Sequence, residues 1–308
     1  MLAIVFPGQG SQTIGMGLDF ARAYPESAQA FEEAERAFGG GLRERIERGP
    51  DSELARTEIT QPAILTASIA IWRALAGRLP RPAFFAGHSL GEYSALVAAG
   101  GLPLGDAVRL VRRRGAFMQQ AVPEGEGEMA AILGIDGAAV AKACASVDGP
   151  VSPANFNAPI QTVIAGRRDA VQAAARACQA AGAKRVVPLP VSAPFHCALM
   201  APAAEKLEPE LATAGFADFA TPVISNVSAQ PYTTAAEARR LLHAQVCSPV
   251  RWVECVERLV ALGATLQLEV GPGKVLSGLV KRIAKDAKVL NVEDLKSMNE
   301  TLVALGMS

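Results

Sequence analysis

Short, strongly apolar runs alternate along this chain with longer segments whose apolar residues recur every three or four positions. The apolar runs predict buried strands at residues 2–6, 82–86, 265–270 and 289–292. The periodic segments predict helices at residues 29–38, 63–79, 92–99 and 104–121. Strands that alternate with helices are typical of an α/β fold built on a mostly parallel sheet.

The middle of the chain has a different order of elements. Its pattern predicts strands at residues 129–133, 151–156, 161–165 and 185–189, and helices at residues 138–147 and 170–181. The resulting β-α-β-β-α-β order is ferredoxin-like. We therefore predict a core made of residues 1–123 and 192–308, with an inserted subdomain at residues 124–191. Such an insertion creates a cleft between two lobes, where ligand sites are common.

The pentapeptide from Gly87 to Gly91 reads G-H-S-L-G and lies between a predicted strand and a predicted helix. This is the pattern of a nucleophile elbow, in which a sharp turn exposes a serine hydroxyl at a helix N-terminus. Unpaired N–H groups and the helix dipole favour negative charge there. A Gly-rich turn without chemistry is the alternative interpretation, but the flanking strand and helix favour the elbow. We predict covalent acyl chemistry at Ser89.

A serine hydroxyl needs a base to become a nucleophile, and the chain has three histidines. His88 adjoins the serine on a tight turn and is expected to point elsewhere. His243 lies in a helical pattern that is typical of a solvated or packed side chain. His196 follows the last strand of the insertion and overhangs the predicted cleft, so we predict that His196 is the base.

Three consecutive arginines, residues 112–114, lie in the helix after the elbow. Successive helical residues point about 100° apart, so the three cannot share one face. Two are expected on the solvated face and one in the cleft, where the planar guanidinium fork would bind a carboxylate.

Two glycine-rich turns resemble nucleotide-binding motifs but fail their patterns. After Gly8-Gln9-Gly10, the third glycine position of a dinucleotide fingerprint is Thr13. We instead predict an oxyanion hole, formed by the amide of Leu90 after the nucleophile and by the amide of Gln9. The later turn, residues 271–274, lacks the upstream glycine of a P-loop and predicts a turn into a helix.

The charge balance and the cysteine content limit the kinds of binding partner and cofactor that we expect. Thirty basic and thirty acidic side chains cancel, so net charge does not indicate nucleic-acid or membrane binding, although a local patch could recruit an acidic partner. Five cysteines form no C-x-x-C pair, which argues against a zinc site or a disulfide framework. The apolar N-terminal stretch has no basic residues before it and breaks at Pro7. We expect a cytoplasmic monomer without a metal or cofactor.

Several separated motifs together resemble the malonyl-CoA:acyl carrier protein transacylases. They are F-P-G-Q-G-S-Q from residue 6, G-H-S-L-G-E-Y-S-A-L from residue 87, Arg114-Gly115, Phe195-His196 and G-P-G from residue 271. The resemblance spans nearly the whole chain. It implies an α/β-hydrolase-like core with a mostly parallel sheet plus the inserted ferredoxin-like subdomain.

The same resemblance implies a role for each site residue. Ser89 would be the nucleophile, His196 the base, and Arg114 the anchor of the malonyl carboxylate. The amides of Gln9 and Leu90 would bind the oxyanion. Members of this family orient the histidine with a glutamine backbone carbonyl instead of an acid, and Gln245 matches that position.

The implied activity is a ping-pong transfer of malonyl from its coenzyme A thioester, through Ser89, to acyl carrier protein. Three other hypotheses stay open. A serine esterase or thioesterase would share the elbow and base without needing a carboxylate anchor. A binding module would keep the fold without turnover, and both Ser89 and His196 argue against it. A polyketide-pathway malonyl acyltransferase would perform the same chemistry for another carrier.

Overall fold

The computed structural model describes residues 1–191 and 193–307. Ser192, which opens the second predicted core segment, and Ser308, which ends it, lie outside the described residues. The strands, in chain order, are β1 (Leu2–Phe6), β2 (Phe84–Gly87), β3 (Gly127–Leu133), β4 (Val151–Ala158), β5 (Gln161–Arg167), β6 (Arg185–Pro188), β7 (Val223–Ile224), β8 (Pro231–Tyr232), β9 (Leu266–Val270) and β10 (Lys288–Val292). The helices are α1 (Leu18–Ala23), α2 (Pro25–Phe38), α3 (Leu42–Arg48), α4 (Asp51–Leu54), α5 (Thr57–Ala76), α6 (Gly91–Ala99), α7 (Leu104–Gln120), α8 (Gly137–Ala145), α9 (Arg168–Ala180), α10 (Ala201–Thr213), α11 (Ala235–Gln245), α12 (Trp252–Ala261), α13 (Val275–Ile283) and α14 (Leu295–Ala304).

The first sheet has six strands in the order β10-β9-β1-β2-β7-β8. Its pairings are parallel except that β8 runs antiparallel to β7 at one edge. The predicted α/β class with a mostly parallel sheet is confirmed. β7 was not predicted because its two residues are too few to give an apolar run or an alternating pattern.

The second sheet has four antiparallel strands in the order β4-β5-β3-β6. Its elements follow the chain as β3, α8, β4, β5, α9 and β6, which is the predicted ferredoxin-like order. Both helices pack against the sheet around a separate apolar core that includes Ile132, Val140, Ile164 and Val171. The bounds predicted for this subdomain, residues 124–191, contain all six elements and stay a prediction.

Helix α5 forms the centre of the larger core. By length and composition it is the one described helix that could cross a membrane, but 89% of its apolar window is buried inside the fold. It packs against α2 and α7, and 17 of its 20 residues are buried. This environment accounts for its apolar composition, since a helix that is hydrophobic on every side is typical of a protein interior.

The elbow between β2 and α6 passes very close to other backbone. A β-carbon on Gly87 would lie 1.9 Å from the Gly91 carbonyl carbon, and one on Gly91 would lie 2.1 Å from the Phe6 carbonyl oxygen. Both positions therefore need glycine for space. The residue in the left-handed region is Ser89 itself, at a φ of 53°. The backbone strain of the predicted elbow is thus carried by the serine.

We expect Gly91→Ala to lower the free energy of unfolding by roughly 1 to 3 kcal/mol or more, because the added methyl group meets the Phe6 carbonyl. Gly77 provides a matched control at the end of α5, since its β-carbon would meet nothing within 4 Å. Gly77→Ala should change stability by less than about 1 kcal/mol. Denaturant unfolding measures both, and equal stability of the two variants would show that the elbow backbone relaxes freely.

Candidate active site

A cavity of about 120 Å³ lies at the end of the elbow, between residues of the core and residues of the insertion. Ser89 and Arg114 line it from the core, and Met129 lines it from β3. Phe195 and His196 close it from the loop that follows the insertion. The site therefore occupies the cleft that the insertion was expected to create.

Ser89 and His196 lie in hydrogen-bonding contact. The Ser89 Oγ is 2.7 Å from the His196 Nε2, and the His196 Nδ1 is 2.9 Å from the backbone carbonyl oxygen of Gln245. Because a carbonyl oxygen only accepts, Nδ1 carries the imidazole proton. The other nitrogen, Nε2, is then free to accept the serine proton, as a general base must.

The environment keeps this imidazole neutral. Burial, followed by the positive charge of Arg114, lowers the pKa of His196 to about 3, while the hydrogen bond to the Gln245 carbonyl acts in the opposite direction. A neutral carbonyl stabilises an imidazolium less than a carboxylate does. At neutral pH His196 is therefore in the form that accepts a proton.

Arg114 is the inward-facing member of the arginine run. It is 2% exposed, whereas Arg112 and Arg113 are exposed, so the expectation from helical spacing is confirmed. The next residue, Gly115, lets α7 approach α5 closely, since a β-carbon there would lie 2.6 Å from the Thr57 carbonyl oxygen. This close packing brings the guanidinium to the cavity.

Among the described residues, the hydrogen-bond partners of the Arg114 guanidinium are all neutral oxygens. Nη1 donates to the Gln61 Oε1 at 2.7 Å, and Nη2 donates to the Gln245 Oε1 at 3.0 Å and to the Ser89 Oγ at 3.1 Å. Nε has no partner among the described residues. Burial lowers the Arg114 pKa, and the group would gain from a carboxylate placed in the cavity.

Gln9 and Leu90 each follow one of two neighbouring strands, as the predicted oxyanion hole requires. Gln9 follows β1 and Leu90 follows β2, and these strands are neighbours whose ends pair at Phe6 and Gly87. Within residues 1–191 and 193–307, no backbone carbonyl accepts a hydrogen bond from the backbone amide of either residue. The oxyanion role of both amides stays a prediction.

Two residues of the site were missed from the sequence. Asn226 accepts from the Ser89 amide and donates to the Gly87 carbonyl, both at 2.7 Å, and so holds the elbow from both sides. It lies just after the two-residue β7, in no recognisable motif. Gln61 could have been noticed, because an amide side chain is unexpected in so apolar a helix as α5.

The other two histidines do not compete for the role of base. The His88 Nε2 is 2.8 Å from the Asn157 Oδ1, so its ring is turned toward the insertion. His243 is half-buried on α11. Among the described residues, no group of three or more His, Cys, Asp or Glu is placed to hold a metal ion.

Known proteins resemble this chain over almost its entire length. The sequence model of the acyl transferase domain family matches residues 3–301, so the chain is an acyltransferase of that family. The malonyl CoA-acyl carrier protein transacylase of Salmonella typhimurium is 54% identical over 286 residues, 91% of this chain and 92% of the relative. The protein of the same name from Bacillus subtilis is 46% identical over 307 residues, 99% of this chain and 97% of the relative.

Solved structures share the fold. An acyl carrier protein S-malonyltransferase from Vibrio cholerae has a TM-score of 0.95 and 50% identity, covering 97% of this chain and 99% of its own. A malonyl-transacylase in complex with its type II PKS acyl-carrier protein has a TM-score of 0.95 and 47% identity, covering 98% and 99%. Within the acyltransferases, the chain belongs to the malonyl CoA-acyl carrier protein transacylases, and the resemblance seen in its motifs is confirmed.

We expect His196→Ala to slow acylation of Ser89 by p-nitrophenyl acetate about 100- to 10,000-fold, because the serine loses its general base. Intact-mass measurement follows the adduct, and Ser89→Ala should give none. His243→Ala is the matched control and should react at the unmutated rate. If His196→Ala also reacted at that rate, another group would be the base.

Proposed function

We propose that the chain transfers the malonyl group from malonyl-CoA to the phosphopantetheine thiol of acyl carrier protein, through a malonyl-Ser89 intermediate, and so supplies fatty acid synthesis. One observation carries the proposal: a buried guanidinium, whose described hydrogen-bond partners are all neutral, lies 3.1 Å from the nucleophilic hydroxyl. A malonyl thioester has a carboxylate next to the carbonyl that is attacked. Bound to Arg114, that carboxylate would place the carbonyl beside Ser89.

In the first half-reaction, the Ser89 Oγ attacks the thioester carbonyl while His196 Nε2 takes the hydroxyl proton. The amides of Gln9 and Leu90 receive the negative charge of the tetrahedral oxyanion. When the intermediate collapses, the carbon–sulfur bond breaks and the imidazolium returns its proton to the departing thiolate. Coenzyme A leaves with its thiol restored, and malonyl remains as an ester on Ser89.

The second half-reaction uses the same groups in reverse. The carrier thiol gives its proton to His196 and attacks the malonyl ester. The bond from carbon to the Ser89 oxygen then breaks, and the imidazolium protonates that oxygen. The carrier departs as a malonyl thioester, and the site returns to its starting state without any cofactor.

The rival chemistry is hydrolysis of the acyl-serine by an esterase or thioesterase. Arg114 argues against it, because ester hydrolysis does not require a carboxylate anchor beside the nucleophile. The names of the relatives also favour transfer to a carrier protein. We further propose a cytoplasmic location, which agrees with the free state of the five cysteines, and a monomeric state.

The decisive experiment incubates the protein with malonyl-CoA, with and without acyl carrier protein. We expect a malonyl adduct on the protein alone. After excess malonyl-CoA is removed, added carrier should discharge this adduct and give malonyl-carrier in equal amount. Ser89→Ala should give neither product. Release of free malonate at the same rate with and without carrier would instead identify a thioesterase. Carriers of fatty acid and polyketide synthesis, compared in parallel, show which one is served.

We expect Arg114→Ala to reduce malonylation of Ser89 by a hundred- to a few thousand-fold, because breaking a buried charge pair on one side costs roughly 3 to 5 kcal/mol. Acetylation from acetyl-CoA should fall little or rise, since acetyl leaves the guanidinium unpaired in the unmutated protein. Arg113→Ala on the same helix, with an exposed side chain, should keep the malonyl-to-acetyl ratio of kcat/KM. An unchanged ratio in Arg114→Ala would assign the carboxylate to another residue.

A further inference from the structure

A fully buried carboxyl group lies behind the nucleophile elbow and has no part in the mechanism above. It belongs to Glu92, in the first turn of α6, which has no exposed surface. Glu92 does not line the cavity that holds Ser89. A buried carboxylate is strongly destabilising unless hydrogen-bond donors replace its water, so its contacts indicate its role.

Three donors from the described part of the chain face the two carboxyl oxygens of Glu92. Oε2 accepts from the Gln245 Nε2 at 2.7 Å and from the Asn226 backbone amide at 3.0 Å. Oε1 accepts from the Tyr232 hydroxyl at 2.9 Å. Because all these contacts are made by donors, they fit an ionised carboxylate, whose two oxygens can only accept hydrogen bonds. Burial raises the pKa of Glu92 to about 7, and the hydrogen bonds together with the charge of Arg114 oppose that rise.

The side chain of Gln245 bridges this carboxylate and the guanidinium of Arg114. Its Nε2 donates to Glu92, and its Oε1 accepts from the Arg114 Nη2 at 3.0 Å. A flipped amide would point its NH₂ at the guanidinium and its oxygen at the carboxylate, so the two opposite charges select one orientation. The backbone carbonyl of the same residue holds His196 at 2.9 Å. Fixing the side chain of Gln245 therefore also fixes the group that orients the base.

Asn226 makes a second link from Glu92 to the reacting groups. Its backbone amide donates to Glu92, while its side chain accepts from the Ser89 amide and donates to the Gly87 carbonyl. The carboxylate thus contacts both residues that hold the nucleophile and the base in place.

We propose that Glu92 is a positioning residue for acyl transfer, whose carboxylate fixes Gln245 and Asn226 and, through them, the base, the nucleophile and the guanidinium. This proposal takes the reaction, malonyl transfer, from the proposed function. It takes the positioning role of Glu92 from the contacts described above.

The titratable groups that face Glu92 come from four elements: Tyr93 on α6, Arg114 on α7, Tyr232 on β8 and Cys255 on α12. Burial raises the pKa of both tyrosines and of the thiol, so these three are neutral near pH 7. With the pKa of His196 lowered to about 3, an acid limb of kcat/KM near pH 7 would belong to Glu92 rather than to the histidine.

Glu92→Gln removes the charge and keeps the shape. The Gln oxygen would accept the two bonds now made by Oε2, and its NH₂ would donate to the Tyr232 hydroxyl, which turns to accept. We expect kcat/KM for malonyl-CoA to fall on the order of ten- to a hundred-fold, the effect of slight misplacement in an active site. The acid limb near pH 7 should disappear. An unchanged rate, or an acid limb that persists in this variant, would overturn the proposal.

Glu269→Gln is the matched control. Glu269 is also fully buried, and it accepts from the amides of Leu276 at 3.1 Å and Ser277 at 2.7 Å at the start of α13. It contacts none of the site residues. Its replacement should lower stability, because an NH₂ group would face an amide donor, while leaving kcat/KM within about two-fold. A loss equal to that of Glu92→Gln would mean that any buried carboxylate gives the effect, and would overturn the proposal.

The route through Gln245 is tested by combining substitutions. If Glu92 acts through this side chain, Glu92→Gln should cost much less in a Gln245→Ala background than in the unmutated protein. An equal loss in both backgrounds would overturn that route. Should Glu92→Gln fail to fold, Tyr232→Phe replaces it: losing one donor to the carboxylate should move the acid limb to higher pH, and an unmoved limb would contradict the proposal.

The failure of this proposal and the failure of the proposed function give different results. Acylation of Ser89 by p-nitrophenyl acetate needs the serine and its base but neither malonyl-CoA nor a carrier. If no malonyl transfer occurs in the unmutated protein, the proposed function fails, and the ester reaction still compares Glu92→Gln with Glu269→Gln. A slower ester reaction in Glu92→Gln alone supports the positioning role, and equal rates overturn it.

Discussion

The geometry and charge of this site depend on the buried guanidinium of Arg114, which has no carboxylate in direct contact among the described residues. In the part of the chain that the structure describes, Arg114 donates only to amide and hydroxyl oxygens, and such partners compensate a buried charge incompletely. Within residues 1–191 and 193–307, no carboxylate contacts this guanidinium directly, the nearest being Glu92 on the far side of Gln245. A substrate that brings its own carboxylate fits this arrangement, and such a carboxylate would place the reacting carbon at Ser89. The same positive charge disfavours an imidazolium next to it, which helps to keep His196 neutral.

The reacting groups come from distant parts of the chain, and a short series of hydrogen bonds sets their geometry. Ser89 stands on the elbow after β2, His196 on the loop after the insertion, and Gln245 at the end of α11. The elbow is held by backbone packing too tight for any side chain at Gly87. Because the groups are held before substrate arrives, little reorganisation is needed during the reaction.

The amino-acid pattern predicted most of the architecture and two of the side chains that meet in the cavity. Periodicity identified eight of the ten strands and missed β7 and β8. The elbow identified Ser89 as the candidate nucleophile, and the scarcity of histidines left His196 as the candidate base. Helical spacing showed that one arginine of three would turn inward. It did not identify Arg114 as that one, because either neighbour fits the spacing equally well, and the family motif supplied the choice.

The residues that were missed act through contacts that no local pattern records. Asn226 follows a strand of two residues and reaches an elbow 137 positions away. Gln61 serves as a hydrogen-bond acceptor inside a helix whose other signals are apolar. Glu92 lies within a recognised motif, yet only the fold brings its carboxylate to Gln245. Short elements and long-range polar contacts leave no periodic signature, and so they need the structure.

The central claim is that, before substrate binds, His196 is neutral and protonated on Nδ1 although it lies near the buried Arg114. Nitrogen-15 NMR of imidazole-labelled protein tests it directly, with the His196→Gln variant used to assign the signals. We predict that His196 shows a protonated Nδ1 and an unprotonated Nε2 from pH 8 down to about pH 5, with the imidazolium forming only near the lowered pKa of about 3. An imidazolium that forms near pH 6.5, the ordinary value for histidine, or a proton found on Nε2, would contradict the account.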